Sequence, residues 1–240
     1  MVYKRLINSL SSYAEHECYL CGESFLPEAS RLICNHCCQD LPRYSSVCQQ
    51  CGIDLAGFSN TRLHCGPCLT RPPHFDRVIA PFAYAEPVRQ LIASFKYQRQ
   101  LAIGQMLSEQ LIMQIKEGDM LRIDAILPVP LHPRRLRQRG FNQALELARP
   151  LARQCKLPLL INHVARVKNT LEQSSLSGKA RRTNLKQAFK LVKEIDYPAI
   201  AIVDDVMTTG STVEELSRLL KNNGVKYVEV WCLARAGHDR

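Results

Sequence analysis

The segment VDDVMTTGST, residues 203–212, places two adjacent carboxylates before a turn rich in hydroxyl groups. An apolar run precedes Asp204 and Asp205, and the helical pattern STVEELSRLLKNNG follows the turn. The turn therefore joins the carboxyl end of a strand to the amino end of a helix, where backbone N–H groups and the helix dipole converge. This arrangement predicts a phosphate-binding loop. It is not of the Walker type, because GxxxxGK[ST] occurs nowhere in the chain.

The two aspartates make the predicted ligand more specific. Carboxylates beside a phosphate would repel it unless they faced hydroxyl groups or a metal ion. A sugar diol attached to the phosphate supplies such hydroxyls, and Mg²⁺ can screen the remaining charge. A plain strand–turn–helix with solvated acids would explain neither the Thr/Ser content nor the position of the acids. The segment therefore predicts a site for a sugar phosphate.

A second set of residues that could carry chemistry lies near the N-terminus, where nine of the eleven cysteines fall between positions 18 and 68. Two CxxC turns complete one four-sulfur zinc site, so four turns predict two structural zinc sites; redox-active dithiols and an iron–sulfur cluster are the alternatives. Pairing can be sequential or interleaved, and short loops favour sequential pairing. His36 and Cys38 are expected to be bystanders. The predicted ligands are Cys18, Cys21, Cys34, Cys37, Cys48, Cys51, Cys65 and Cys68.

Composition and charge limit the class of protein. The chain has 240 residues, 46% of them hydrophobic, which argues against disorder. Its net charge of +10 favours an anionic partner: nucleic acid, a phosphorylated small molecule or an acidic membrane surface. No run approaches the roughly 20 apolar residues of a membrane-spanning helix, and the N-terminus lacks a signal-peptide pattern. We therefore expect a cytoplasmic protein without a transmembrane segment, in which thiols stay reduced.

The positive charge is concentrated in the middle of the chain. Residues 128–186 contain thirteen Lys/Arg but only two acidic residues. Four arginines within six positions exceed what one small ligand needs, which favours a track for a nucleic-acid backbone. Binding of a phosphorylated ligand alone and a solvated basic face are the alternatives. Tyr97 and His132 could help to stack single-stranded bases. The main nucleic-acid candidates are Arg134, Arg135, Arg137, Arg139 and Phe141.

Alternating strand and helix patterns predict the fold that positions these residues. DAILPVPL, AFKLV, AIAIVDD and KYVEVWCLAR are predicted strands, and helical spacing of apolar residues recurs between them. FNQALELARPLARQ is predicted as a helix interrupted at Pro150, and the last helix begins with Ser211 as N-cap. Such alternation indicates an α/β fold with a doubly wound, mainly parallel sheet.

Two prolines, Pro72 and Pro73, indicate a stiff linker after the last cysteine pair. We predict a double zinc-ribbon module at residues 1–70, a linker at 71–76 and the α/β domain at 77–240.

The motif VDDVMTTGST resembles the PRPP-binding signature of type I phosphoribosyltransferases, where PRPP is phosphoribosyl pyrophosphate. Nearly the whole chain resembles the ComF/GntX competence-protein family. The resemblance rests on residues 128–143 (PVPLHPRRLRQRGFNQ), Lys96-Tyr97, the linker PPHFDRV and the pattern Q-x-x-L…R-x-N-x-x-x-A-F that starts at Gln173.

The resemblance implies roles for individual residues. The acidic pair would contact the ribose hydroxyls, and the loop after the first core strand would meet Mg²⁺–pyrophosphate. A flexible loop at about 168–187 would close over the site and neutralise the pyrophosphate. The implied PRPP-binding residues are Asp204, Asp205, Thr208, Thr209, Gly210, Ser211 and Thr212. The implied pyrophosphate and flexible-loop residues are Val129, Pro130, Leu131, Lys179, Arg181 and Arg182.

The resemblance also implies a cellular role in natural transformation, through use of internalised single-stranded DNA. A helicase or a protein of the DNA-uptake machinery would be a partner. The catalytic residues, and whether any turnover occurs, are left open. The alternative is a metabolic PRPP-dependent phosphoribosyltransferase with an unknown acceptor and no direct DNA role.

Overall fold

The computed structural model describes residues 16–26, 32–56, 63–117, 123–168 and 187–237. The predicted flexible loop lies almost wholly outside these ranges. In chain order the elements are β1 (His16–Glu17), β2 (Ser24–Phe25), α1 (Asn35–Gln39), α2 (Gly66–Thr70), β3 (Arg77–Ile79), β4 (Phe82–Ala83), α3 (Val88–Tyr97), α4 (Leu101–Glu117), β5 (Ala125–Pro128), α5 (Pro133–Arg139), α6 (Gln143–Cys155), β6 (Val164–Arg166), β7 (Phe189–Leu191), β8 (Ala199–Met207), α7 (Ser211–Asn222) and β9 (Tyr227–Arg235).

A five-stranded sheet forms the centre of the fold. Its order is β3-β9-β8-β5, with β4 also paired to β9, and every pair is parallel. The strands β6 and β7 form a separate antiparallel pair. The predicted mainly parallel sheet is therefore confirmed. Because β5 and β8 are parallel neighbours, with Pro128 opposite Val203, the segments that follow them meet at one edge.

Helices cover both faces of this sheet, as a doubly wound fold requires. Along β8, Ala201 and Val203 pack into a core with α3, α4 and α6. Ile200 and Ile202 point to the other face and pack with α7. This alternation follows from the two-residue period of a strand, so an unbroken apolar run satisfies both faces.

Two local predictions need correction. The helix α6 is not interrupted at Pro150 but continues to Cys155. Its apolar residues, Leu147 and Leu151 among them, are fully buried against the sheet, and this packing outweighs the lost backbone hydrogen bond. The N-cap of α7 is Gly210 rather than Ser211, because the chain enters the helix through a left-handed residue with φ of 75°.

The two cysteine-rich segments pack onto opposite faces of the sheet. Cys18, Ile33 and Leu41 belong to the core on the α3/α4/α6 side. Cys48, Ile53 and Leu55 belong to the core on the α7 side. Of the two cysteines outside the clustered segments, Cys232 is fully buried, whereas Cys155 is only partly buried.

The segment proposed as a linker lies against the α/β domain. Phe75 is buried, and one Asp76 carboxylate oxygen accepts hydrogen bonds from Lys221 Nζ and Val228 N, both at 2.7 Å. His74 Nδ1 lies 2.6 Å from a carboxylate oxygen of Glu214. The boundary between the two proposed domains stays a prediction. Within the described residues, no helix is long and apolar enough to span a bilayer.

Candidate functional site

The predicted phosphate loop lies between β8 and α7. Gly210 takes a left-handed conformation, and a Cβ atom there would stand 2.6 Å from Met207 Cε. The Thr209 and Ser211 hydroxyls are 2.8 Å apart, and Thr209 Oγ1 also accepts a bond from Ser211 N at 3.4 Å. Thr208 and Thr209 are exposed. A glycine turn, a row of hydroxyls and the amino end of a twelve-residue helix therefore face the same opening.

The acidic pair is held rigidly at the end of β8. Asp205 N donates to Asp204 Oδ1 at 2.9 Å, and Val206 N donates to Asp205 Oδ1 at 2.7 Å. The other Asp205 oxygen lies 2.9 Å from Lys96 Nζ, and both side chains are largely buried. Lys96 thus compensates one of the two negative charges. Pairing in this partly buried setting orients the carboxylate as well as neutralising it.

Burial, with the neighbouring Asp205 charge, raises the pKa of Asp204 to about 7. Burial on its own would lower the pKa of Lys96, but the Asp205 and Asp204 carboxylates reverse the effect and the pKa of Lys96 is raised. Burial also lowers the pKa of Arg166, with Arg135 adding to this effect. Upward and downward pKa shifts within one small region are typical of a ligand site in which acidic and basic groups lie side by side.

The loop and the acidic pair open into one cavity of about 400 Å³. This volume is in the range of small-molecule sites. Of the predicted site residues, the cavity is lined by Val129, Leu131, Arg135, Arg139, Asp204, Asp205, Thr208, Gly210, Ser211 and Thr212. Pro130 and Thr209 are adjacent in sequence to lining residues. Lys179, Arg181 and Arg182 lie outside the described residues.

The arginine-rich segment forms the short helix α5, which has two sides. Arg135 and Arg139 line the cavity, whereas Arg134 and Arg137 are exposed and are not among its lining residues. The Arg139 guanidinium also lies over the Tyr97 ring, 5.4 Å from its centroid. Phe141 packs against Phe95 at 5.7 Å, so its ring is less available for base stacking than Tyr97, which is 66% exposed.

Several residues that were not predicted as site residues also line the cavity, among them Tyr84, Lys96, Gln143 and Arg166. Gln143 is 2% exposed, and its Nε2 has no hydrogen-bond partner among the described residues. In the sequence, Lys96 follows the apolar residues of a helix, and Gln143 follows a good N-cap residue, Asn142. Both positions lie in segments that carry the family resemblance, but no site role was predicted for either, because only the packing of α3 and α6 brings these side chains to the end of β8.

The eight predicted ligand cysteines form two groups: Cys18, Cys21, Cys34 and Cys37, and Cys48, Cys51, Cys65 and Cys68. We call these the first and second cysteine clusters. The sequentially paired arrangement is therefore observed. Within each cluster the sulfur atoms lie within 4.8 Å of one another, with 3.9 Å between Cys21 and Cys34 and 3.6 Å between Cys51 and Cys65.

A metal ion fits these distances. Four sulfurs at about 2.3 Å from a central zinc ion would be separated by about 3.8 Å. Backbone N–H groups also point at the sulfurs: Cys34 N lies 3.3 Å from Cys18 Sγ, and Cys65 N lies 3.3 Å from Cys48 Sγ. Such donors stabilise thiolate charge. Each cluster could thus hold one tetrahedral metal ion.

Comparison with known proteins supports this architecture. Residues 139–240 match the phosphoribosyl transferase domain family. The chain is 40% identical to competence protein F of Haemophilus influenzae, over 85% of this chain and 90% of that protein. It is 37% identical to DNA utilization protein YhgH of Escherichia coli, with the same coverage of 85% and 90%. Identity with competence protein ComFC of Streptococcus pneumoniae is 24%, over 65% of this chain and 67% of the other. The chain therefore belongs to the ComF family of competence and DNA utilization proteins and carries a phosphoribosyl transferase domain.

Proposed function

We propose that this protein binds PRPP with Mg²⁺ and acts in natural transformation, in the use of internalised single-stranded DNA. The observation that carries the PRPP proposal is the shared cavity into which the phosphate loop, the acidic pair and four basic side chains open. The DNA role rests on the names of the relatives, which include competence and DNA utilization proteins.

The ligand would lie along the carboxyl edge of the sheet. Residues 208–212 would hold the 5′-phosphate, and Asp204 and Asp205 would accept hydrogen bonds from the ribose hydroxyls. The Mg²⁺–pyrophosphate group would meet the backbone of Val129, Pro130 and Leu131. Lys96 would hold the Asp205 carboxylate turned towards the sugar. Magnesium supplies charge neutralisation when it is bound.

The proposed site also contains three arginines that would balance the negative charge of the ligand: Arg135, Arg139 and Arg166. All three line the cavity, so their charges oppose the several negative charges of PRPP. Lys179, Arg181 and Arg182 would add to this charge if the loop that carries them closes over the ligand.

We further propose that both cysteine clusters hold Zn²⁺ in a structural role. Four thiolates fill a tetrahedral site and leave no open position for chemistry. The ribbons contain few buried residues of their own, so the metal would supply part of the free energy of folding. A helicase or another DNA-uptake protein would dock on the protein as a partner.

A PRPP titration by calorimetry tests the ligand. We expect wild-type protein to bind Mg²⁺–PRPP, and the double variant Asp204→Asn/Asp205→Asn to lose about 2–4 kcal/mol of binding free energy, because two charged hydrogen-bond acceptors disappear. The double variant Glu194→Gln/Asp196→Asn is the matched control, since it removes two exposed acids outside the cavity. Equal affinity in all three proteins would disprove the site.

Measurement of pyrophosphate in the same tube separates two modes of action. Binding with pyrophosphate release on addition of DNA or a candidate acceptor indicates a transferase. Binding without release under every acceptor tested indicates a PRPP sensor that handles DNA without turnover.

The two sides of α5 allow a matched test of DNA binding. We expect Arg134→Gln/Arg137→Gln to weaken binding of single-stranded DNA and to flatten its salt dependence by about 1.4 units of slope, at about 0.7 per phosphate contact, without weakening PRPP binding. Arg135→Gln/Arg139→Gln should weaken both ligands. The control Arg149→Gln/Arg153→Gln removes two exposed charges from α6. A control that weakens DNA binding as much as the α5 variants would contradict a track along α5.

One observation favours the alternative of a metabolic phosphoribosyltransferase without a direct DNA role. Among the described residues, the buried Nε2 of Gln143 has no hydrogen-bond partner, and Gln143 lines the cavity, where a small acceptor with a hydrogen-bond acceptor atom could bind. If a small acceptor promotes pyrophosphate release and single-stranded DNA does not bind, this alternative replaces the DNA role.

A further inference from the structure

We propose that Arg235 couples the second cysteine cluster to the phosphate loop, so that metal in this cluster strengthens PRPP binding and PRPP in turn retains the metal. The inference rests on the proposed PRPP site. It assigns to Arg235 the role of a positioning residue, which acts on the ligand through the backbone of the loop.

Arg235 lies at the end of β9 and is 5% exposed. Its Nε donates to the backbone oxygen of Cys51, a ligand residue of the second cluster, at 2.9 Å. Its Nη1 donates to the backbone oxygen of Met207 at 3.1 Å, to that of Thr208, and to that of Ala236 at 2.6 Å. One buried guanidinium therefore joins the CxxC turn Cys48–Cys51, which we call a cysteine knuckle, to the start of the phosphate loop.

The second cluster approaches this junction closely. The Gly52 backbone, with φ of 67°, leaves only 3.0 Å between an added Cβ and the Val78 side chain, and 3.9 Å to Arg235 Cγ. Tyr44 Oη donates to the Arg235 backbone oxygen at 3.2 Å. The arginine is thus enclosed by the residues around the second cluster on one side and by the loop on the other.

Metal in the second cluster would hold the Cys51 carbonyl in place. When the metal leaves, the knuckle is released from its four-sulfur constraint and this carbonyl is free to move. A buried guanidinium N–H without an acceptor raises the free energy of the folded state. Because the guanidinium is planar, Arg235 cannot turn towards a new acceptor without losing its hydrogen bonds to Met207 and Thr208. Loss of metal is therefore transmitted to the loop that would hold the phosphate.

The first cluster differs in this respect. Tyr19 Oη of this ribbon donates to Ser94 Oγ of α3 at 3.3 Å, and among the described residues the four cysteines of the first cluster share no hydrogen bond with residues 207–211. The proposal therefore makes one of two similar metal sites sensitive to PRPP. Thermodynamic linkage requires that PRPP strengthen metal binding by the same factor by which the metal strengthens PRPP binding.

Chelator competition on the full chain with both zinc ions bound tests this inference. Zinc transferred to a colorimetric chelator is measured with and without saturating Mg²⁺–PRPP. We expect PRPP to lower the equilibrium constant for transfer of one zinc ion to the chelator by about 5- to 20-fold, a typical range for coupling between sites. The constant for the other zinc ion should stay unchanged. In Cys21→Ser, which lacks a ligand of the first cluster, the ion retained by PRPP should be the one that remains.

Arg235→Lys keeps the charge but cannot donate to Cys51 and to the loop at once. We expect PRPP to bind this variant about tenfold more weakly and to lose its effect on zinc release, a drop that corresponds to about 1.4 kcal/mol. Asp204→Asn/Asp205→Asn controls for chelation of zinc by PRPP itself, because PRPP must not protect zinc in a protein that cannot bind it.

The possible failures can be distinguished. If wild-type protein with both zinc ions does not bind Mg²⁺–PRPP, the proposed function is wrong and the coupling is lost with it. If wild-type protein binds PRPP but both zinc ions are released as easily as before, the coupling is wrong and the proposed function stands. If Arg235→Lys binds PRPP with wild-type affinity, the role of Arg235 is wrong. If this variant does not fold, the wild-type measurement decides alone.

Discussion

The two cysteine clusters are built alike but lie in different surroundings. In each ribbon the first cysteine accepts a backbone bond from the knuckle glycine, at 2.9 Å from Gly22 N and 2.8 Å from Gly52 N. The next residue donates across the ribbon in both cases, from Tyr19 to Leu32 and from Gln49 to Leu63, each at 2.9 Å. The ribbons are therefore structural repeats.

Their neighbours differ. The first cluster packs on the face of the sheet covered by α3, α4 and α6, and one of its ligands, Cys21, is exposed. The second cluster packs on the α7 face, and the equivalent ligand, Cys51, is buried and bonded to Arg235. The same four-cysteine arrangement thus packs against the core in one place and contacts the candidate phosphate loop through Arg235 in another. Placement, rather than ligand chemistry, decides which.

Loss of one equivalent ligand from each cluster should show the largest difference. We expect Cys51→Ser to lower the free energy of unfolding by on the order of 4 kcal/mol, because metal and core contacts are lost together. Cys21→Ser should lower it by on the order of 2 kcal/mol, since the Cys21 side chain is already exposed to water. Urea unfolding with zinc content measured in parallel checks both. Equal costs would remove the distinction between the clusters.

The acidic pair beside the phosphate loop allows a pH test. Because the pKa of Asp204 is raised to about 7 in the folded protein, folding favours its protonated form. The associated stability is present at low pH and is lost as pH rises through about 7. Asp204→Asn should therefore be more stable than wild type at pH 8, by on the order of 2 kcal/mol, with a smaller gain at pH 6.

Thermal unfolding of the ligand-free protein at both pH values measures this gain. The Cys21→Ser background serves as the control, since the first cluster has no described hydrogen bond to the loop and should leave the gain unchanged. A gain that is equal at pH 6 and pH 8 would contradict the raised pKa.

The two knuckle glycines sharpen the comparison through packing alone. Both have positive φ, 75° at Gly22 and 67° at Gly52. An added Cβ at Gly22 meets nothing within 4 Å, whereas at Gly52 it would lie 3.0 Å from Val78 Cγ1. We expect Gly22→Ala to cost about 1 kcal/mol, from backbone strain only. Gly52→Ala should cost about 2 kcal/mol, because the contact with β3 adds to that strain. Denaturant midpoints at constant slope test this order.

The smallest expected effect comes from one tyrosine hydroxyl in each ribbon. Tyr44→Phe removes the bond to the Arg235 carbonyl and should cost about 1 kcal/mol, as a partly buried bond does. Tyr19→Phe removes the bond to Ser94 from a residue that is 41% exposed, and should cost about 0.5 kcal/mol or less, because water can replace it. Chemical denaturation resolves the pair, and a larger cost for Tyr19→Phe would contradict the order.

Much of the fold was predictable from local patterns. Three strands of the sheet (β5, β8 and β9), their parallel direction and the strand–turn–helix around Gly210 follow from apolar runs and turn residues whose effects are short-range, whereas β3 and β4 were not predicted. The passage of α6 through Pro150 was not predictable, since burial of Leu147 and Leu151 depends on a sheet that is distant in sequence. For the same reason Lys96 became a site residue only when α3 packed beside β8.

The sequence by itself determined the chemical groups: eight thiols in four CxxC turns, two carboxylates before a hydroxyl-rich turn, and a basic stretch around residue 135. Each is fixed by residue type and by spacing over a few positions. Only the tertiary structure decided which groups meet. It paired the acidic Asp205 with Lys96, turned Arg135 and Arg139 inward while Arg134 and Arg137 stay exposed, and joined Cys51 to the phosphate loop through Arg235. These contacts connect positions up to 184 residues apart, so they depend on the packing of the whole sheet rather than on any local pattern.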